Sequence, residues 1–122
     1  MSKQLVIAVI DDDESFRTAL AELLCSFGYD VHHFASAEEF VAAGPVGLYD
    51  CILTDIHMPG MSGIDLKRLL AARNYRVPVM MITARTDPGL EARALACGAV
   101  CLLRKPFETE ALIGSLESAL KA

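Results

Sequence analysis

Leu5-Val6-Ile7-Ala8-Val9-Ile10-Asp11-Asp12-Asp13 is the stretch whose reading decides the fold. Its apolar residues follow one another without the polar alternation of a half-exposed strand. Such a run suits a strand covered on both faces, as strands of parallel sheets are. It also stops abruptly on acids. The same form recurs three times: Cys51–Leu53 runs into Thr54-Asp55, Val79–Ile82 into Thr83, and Val100–Leu103 into Arg104-Lys105. If these runs are parallel strands, their polar ends gather along one edge of one sheet. In open α/β sheets that carboxyl edge is where ligands bind.

The segments between the runs read as helices and one further strand. Phe16, Leu20, Leu23, Leu24 and Phe27 recur at helical spacing, with Gly28 placed to end the helix. Tyr29–Phe34 is a poorer strand carrying Asp30, His32 and His33, suited to a sheet edge, where solvated histidines are expected. Ser36-Ala37-Glu38-Glu39 has the form of a capping box and opens a short helix that stops before Gly44-Pro45. Ser62 is placed to cap a helix carrying Ile64, Leu66, Leu69 and Leu70 up to about Asn74. The fourth strand extends over Val77–Thr83, with Pro78 near its start where proline is tolerated. Asp87-Pro88 reads as an N-cap and first-turn proline for a helix ending near Gly98. Phe107–Lys121 reads as the last helix, with Leu112, Leu116 and Leu120 on one stripe. Strand and helix alternate five times, which specifies an α/β fold with a five-stranded parallel sheet flanked by five helices. Residues 1–122 read as a single domain without an internal linker or repeat.

Composition narrows the function. The chain has 122 residues, 53% of them hydrophobic, enough for one core and against disorder. Eleven Lys and Arg are scattered among sixteen Asp and Glu, for a net charge of −5. That pattern argues against direct nucleic-acid contact, which draws on a basic stripe. No apolar run nears the roughly 20 residues of a membrane-spanning helix. Met1-Ser2-Lys3-Gln4 leads into the first strand without a leader's apolar region. Cys25, Cys51, Cys97 and Cys101 match no zinc spacing and lie in apolar sequence, so they read as buried free thiols of a cytoplasmic protein.

The residues gathered at the strand ends carry a definite chemistry. Asp11, Asp12 and Asp55 brought close would repel, so a proton or a cation must join them. One helix cap explains one acid, but not three in succession plus Asp55. Oxygen-only ligation with room for water suits Mg²⁺. The Asp55 carboxylate can act as a nucleophile towards phosphorus. Phosphoryl transfer asks chiefly for positioning and neutralised charge. Lys105 supplies a positive charge on a long stem, and the Thr83 hydroxyl a hydrogen bond. No group is left over as a general base, which points to stoichiometric self-modification rather than turnover.

At these residues the chain resembles the receiver domain of two-component response regulators. The resemblance rests on Asp11-Asp12, on Asp55-Ile56-His57-Met58-Pro59-Gly60-Met61-Ser62-Gly63, on Ile82-Thr83-Ala84 and on Lys105-Pro106-Phe107, and it covers essentially the whole sequence. It is nearest to receivers of the nitrogen-fixation and LuxR-type branch, which usually carry a DNA-binding domain not legible in these residues. The resemblance implies a flavodoxin-like sheet of order 2-1-3-4-5 and a cis Lys105-Pro106 bond. It further implies that Asp55 accepts a phosphoryl group from a phosphohistidine of a sensor histidine kinase or phosphotransfer protein. In that family Asp12 and Asp55 would bind Mg²⁺ directly, the His57 carbonyl would be a further ligand, and Asp11 would act largely through water. Output, to a partner protein or a second copy, would leave through the face of the fourth helix, fifth strand and fifth helix.

One position departs from the family's pattern. Receivers place Phe or Tyr three residues before the lysine, and here Leu102 stands there, without a ring to turn inward. His57 and Arg85, each two residues beyond Asp55 and Thr83, stand where the family tunes phosphoryl lifetime; for His57 an exposed ring with only its carbonyl in use is expected. Two other readings stay open on sequence. Asp11-Asp12-Asp13-Glu14-Ser15 fits the nucleophile motif of haloacid-dehalogenase-type phosphohydrolases, with Asp11 as nucleophile. A receiver that only binds, without being phosphorylated, is the other.

Overall fold

Each of the apolar runs forms a strand in the computed structural model, which describes residues 4–121. The beginning of the chain, Met1–Lys3, read above as free of a leader, lies outside the described residues, as does Ala122. The elements in order are β1 (Val6–Ile10), α1 (Glu14–Ser26), β2 (Asp30–Phe34), α2 (Ala37–Ala42), a short 3-10 turn (Val46–Leu48), β3 (Cys51–Asp55), α3 (Gly63–Ala72), β4 (Val79–Thr83), α4 (Leu90–Ala96), β5 (Cys101–Arg104) and α5 (Thr109–Lys121). All strand pairs are parallel and the sheet order is β2-β1-β3-β4-β5. This is the five-stranded, five-helix flavodoxin-like arrangement expected.

The unbroken apolar runs are explained by burial on both faces. Successive strand side chains point to opposite sides, and two separate cores take them up. Ile7 and Val9 of β1, Cys51 and Leu53 of β3, and Met80 and Ile82 of β4 pack with Leu20, Leu24, Leu112 and Leu116 of α1 and α5. The intervening residues Ala8, Ile10, Ile52, Val79 and Met81 pack on the other side with residues of α2, α3 and α4. The chain therefore runs outward from β1 to β2 and then reverses to β3. Strand order changes direction between β1 and β3, where a crevice opens beyond the strand ends. Asp11 and Asp12 follow β1, and Asp55 ends β3.

Three helices end in the same way. After α1, the Gly28 N–H donates to Cys25 O at 3.0 Å and the Tyr29 N–H to Leu24 O at 3.2 Å. This paired closure needs a left-handed residue, and Gly28 has φ 94°. α3 ends likewise with Asn74 at φ 63°, its N–H on Ala71 O and the Tyr75 N–H on Leu70 O. α4 ends likewise at Gly98, whose N–H reaches Leu95 O.

Some expectations are corrected. α4 starts at Leu90 behind Gly89, without a side-chain cap, so Asp87-Pro88 lies in the preceding loop and does not open the helix. β4 begins at Val79 and β5 at Cys101, each later than read from apolar content, and α5 begins at Thr109. Ser36 and Ser62 do cap α2 and α3, Ser62 in a full reciprocal box with Asp65. Of the four free cysteines only Cys51 is buried; Cys25 is exposed, and Cys97 and Cys101 are half-buried. β2 is an edge strand, but its histidines are not simply solvated: His33 Nδ1 accepts from Arg17 Nε at 3.1 Å, and His32 packs edge-on to Tyr49. No helix among the described residues is long and apolar enough to cross a membrane.

A methyl group added at Gly28 would meet nothing within 4 Å. Gly28→Ala should therefore cost only the left-handed backbone penalty, about 1–2 kcal/mol, measured as a lower urea midpoint with an unchanged slope.

Candidate functional site

The loop after β1 holds its acids in different roles. Asp13 is the cap of α1, its carboxylate accepting the Phe16 N–H at 3.1 Å. Capping thus consumes Asp13 and leaves Asp11 and Asp12. Asp11 is buried, and its two oxygens are both engaged: Oδ1 accepts the Asp13 N–H at 2.9 Å and Oδ2 lies 3.0 Å from Lys105 Nζ. Its backbone is fixed as well, with the N–H on Phe34 O and the carbonyl accepting Arg17 at 2.8 Å. Asp12 is exposed beside it.

Asp55 closes β3 from across the switch point. A carboxylate oxygen from each of Asp11, Asp12 and Asp55 lies within 4.8 Å of the others. Asp55 is only 8% exposed. Burial, followed by the charge of Asp11, pushes its pKa up to about 6, against the pull of Lys105 and a hydrogen bond from the His57 N–H. The ionised cluster lacks sufficient positive charge. Three clustered oxygen donors short of positive charge fit a hard divalent cation.

Gly63, at the start of α3, lets the helix approach Asp55. A Cβ there would stand 2.5 Å from the Asp55 carbonyl oxygen, and the Gly63 N–H donates to Ile56 O at 3.0 Å. The helix entrance is thus pressed against the strand end that carries the carboxylate.

Lys105 reaches the acids from β5. Its backbone N–H donates to Thr83 O at 2.7 Å, joining the ends of β4 and β5. Its ammonium sits 3.9 Å from the centroid of the Phe16 ring, and Phe16 meets Phe107 edge-on at 6.0 Å. A cation over a ring face is attracted by the quadrupole. Phe16 was legible in sequence only as part of the α1 stripe; nothing in its spacing marks a partner so far along the chain. The Lys105-Pro106 bond is cis, as the resemblance implied.

Thr83 is fully buried, and its hydroxyl meets Arg85 and His57. It accepts the Arg85 N–H at 3.0 Å and lies 3.3 Å from His57 Nδ1. His57 Nε2 stands 3.9 Å from Asp87 Oδ2, which also lies 3.9 Å from Arg85. The expected exposed ring is half-buried and engaged, and burial followed by the Arg85 charge lowers its pKa. Leu102 is half-buried and packs against the core on the α3 side. The structure thus brings Asp11, Asp12, Asp55 and Lys105 together, while Thr83 stands with His57.

A family model described as the response regulator receiver domain matches residues 7–117. The chain belongs to that family. The receiver is 38% identical over 115 residues to the transcriptional regulatory protein FixJ of Bradyrhizobium diazoefficiens, covering 94% of this chain and 56% of that protein. It is 35% identical over 116 residues to the response regulator protein TodT of Pseudomonas putida, covering 95% and 51%. Among solved structures it is similar to FixJ-N, with a TM-score of 0.89 at 33% identity over 98% of this chain and 96% of that one. The chain spans about half the length of the curated relatives it matches.

The receiver's acidic cluster makes two predictions. Because the folded pKa of Asp55 is raised from 3.8 to about 6, the unfolded chain holds fewer protons in that window. The group's contribution to stability is therefore complete below about pH 4 and is lost as pH rises past about 6. Without divalent cations, Asp55→Asn should stabilise the receiver by about 1–3 kcal/mol at pH 8 and by nothing at pH 3.5, while added Mg²⁺ should stabilise the wild type selectively at the higher pH. Urea melts across pH check this; a gap independent of pH would contradict the charge argument. Gly63→Ala should lower stability by about 1–3 kcal/mol through overpacking and displace Asp55, visible as shifts of its amide resonance.

Proposed function

We propose that this receiver is a phospho-accepting switch in which Asp55 takes a phosphoryl group from a phosphohistidine of a sensor histidine kinase or phosphotransfer protein. The single observation that carries this is Asp55 at the strand-order reversal, within 4.8 Å of two further carboxylates and under the field of Lys105. Membership of the family implies a histidine kinase as partner. In the transfer, an Asp55 carboxylate oxygen bonds to phosphorus as the P–N bond to the partner's imidazole breaks. The imidazole leaves with the electron pair of that bond.

Each neighbour has a part. Asp55 is the nucleophile, and its buried position limits access of water to the acyl phosphate. Lys105 pairs with one phosphoryl oxygen, for which its ammonium must turn from Asp11. Thr83 donates its hydroxyl proton to another. Mg²⁺ held by Asp11, Asp12, Asp55 and the His57 carbonyl would neutralise charge that Lys105 leaves uncompensated. The hydrolase reading would make Asp11 the nucleophile, whose carboxylate here pairs with Lys105 and accepts the Asp13 N–H.

Phosphorylation replaces one negative charge at Asp55 with about two and adds acceptor oxygens. Movement of Thr83 and Lys105 pulls on the ends of β4 and β5, which are already joined by the Lys105 N–H and Thr83 O. The face of α4, β5 and α5 then shifts between two arrangements and carries output to a protein partner or a second copy. The module acts as a signalling switch modified once per signal, in the cytoplasm with its kinase.

Incubation with phosphoramidate and Mg²⁺, followed by intact-mass measurement, tests the acceptor. Wild type and Asp11→Asn should differ in rate, but Asp55→Asn should take up no phosphoryl group. Labelling that survives Asp55→Asn and vanishes in Asp11→Asn would favour the hydrolase reading. Loss in neither variant would place the acceptor elsewhere.

A further inference from the structure

We propose that His57 is a latch on Thr83: its imidazole competes with the Asp55 phosphoryl group for the Thr83 hydroxyl proton and so sets how readily the receiver adopts its phosphorylated arrangement. The proposal rests on the receiver reading of Asp55.

The hydroxyl of a buried threonine has one proton to give. Thr83 Oγ1 accepts the Arg85 N–H at 3.0 Å, which leaves it one further lone pair and its single proton. His57 Nδ1 lies 3.3 Å from Thr83 Oγ1, within reach of that proton when the ring carries its own on the opposite nitrogen. The opposite nitrogen of the same ring, Nε2, faces the Asp87 carboxylate at 3.9 Å. A proton on Nε2 is favoured beside that carboxylate, which leaves the Nδ1 lone pair turned to Thr83; the partner of one ring nitrogen fixes the role of the other. Asp87 is held in turn by Arg85 at 3.9 Å, and the Arg85 carbonyl accepts Arg104 at 2.8 Å. The contacts form a closed circuit: Thr83 to His57, His57 to Asp87, Asp87 to Arg85, and the Arg85 N–H back to Thr83.

This circuit ties the loop after β3 to the loop before α4. Thr83 has to leave His57 before it donates to a phosphoryl oxygen. When it does, the ring loses the contact that aligned it, and Asp87 and Arg85 lose their common anchor in the segment leading to α4. Leu102 has no ring to follow Thr83 inward. Release of the latch gives the signal a route to α4 that does not need one.

Beryllofluoride with Mg²⁺, a stable mimic of the phosphoryl group, tests the proposal through its binding, followed by fluorine NMR. His57→Ala should tighten binding ~2- to 10-fold, the worth of one neutral hydrogen bond. His57→Asn, whose side-chain oxygen restores an acceptor near Nδ1, should return affinity towards the wild-type value. In a Thr83→Ala background, His57→Ala should change nothing. Equal tightening with and without the Thr83 hydroxyl, or no tightening at all, overturns the latch while leaving the receiver reading intact. Beryllofluoride binding that survives Asp55→Asn overturns both. His57 is partly exposed at the surface, and a thermal melt confirms that its variants fold.

Discussion

The repulsion among three carboxylates at the meeting of β1 and β3 is the constraint on which the rest of this receiver depends. Asp11 is buried, Asp55 nearly so, and an oxygen from each comes within 4.8 Å of one on Asp12. An uncompensated charge in such a place is costly. Lys105 is placed at 3.0 Å from Asp11, and its own position is secured by a backbone bond to Thr83 and by the Phe16 ring. Burial first, and then the charge of Asp11, leave Asp55 with a raised pKa against the pull of Lys105. That crowding of buried acids is what suits the site to a divalent ion. The doubly covered sheet is what makes the crowding possible, because strands buried on both faces bring the acids to a rigid edge.

The fold was legible because its determinants are local or periodic. β1, β3 and β4 announce themselves by unbroken apolar content, which burial on both faces allows. α1 ends where Gly28 supplies the left-handed residue, and α3 begins where Ser62 and Asp65 exchange hydrogen bonds. Where a residue's partner is far along the chain, sequence misleads. Asp87-Pro88 has the form of a helix start, yet the Asp87 carboxylate faces His57 and Arg85, and α4 starts behind Gly89 instead. Phe16 fits an apolar stripe and also carries the Lys105 ammonium. Cys25 sits in apolar sequence but on the outer side of α1.

The site divides along the same line. Asp11, Asp12, Asp55 and Lys105 were legible because each ends an apolar run, and parallel strands bring such ends together whatever the side chains do next. The orientation of Thr83 was not. A hydroxyl at a strand end is free to turn to any acceptor in reach, and the choice depends on His57, whose ring is aimed by Asp87. No spacing in the sequence encodes that three-way contact, since His57 lies after β3 and Asp87 before α4.

The charge deficit and the orientation of Thr83 bear on each other. Lys105 and Thr83 stand side by side because the Lys105 N–H donates to Thr83 O, while their side chains remain free to turn separately. In the arrangement described, the Lys105 ammonium pairs with Asp11 and the Thr83 hydroxyl lies beside His57. A phosphoryl group must overcome both attractions at once. Its added charge acts on the lysine over distance, whereas its oxygens act on the threonine only at hydrogen-bond range. The two contacts therefore differ in reach, and a group that supplied charge without acceptor oxygens would draw Lys105 alone. Turning both residues needs charge and acceptors together, which is the combination a phosphoryl group brings.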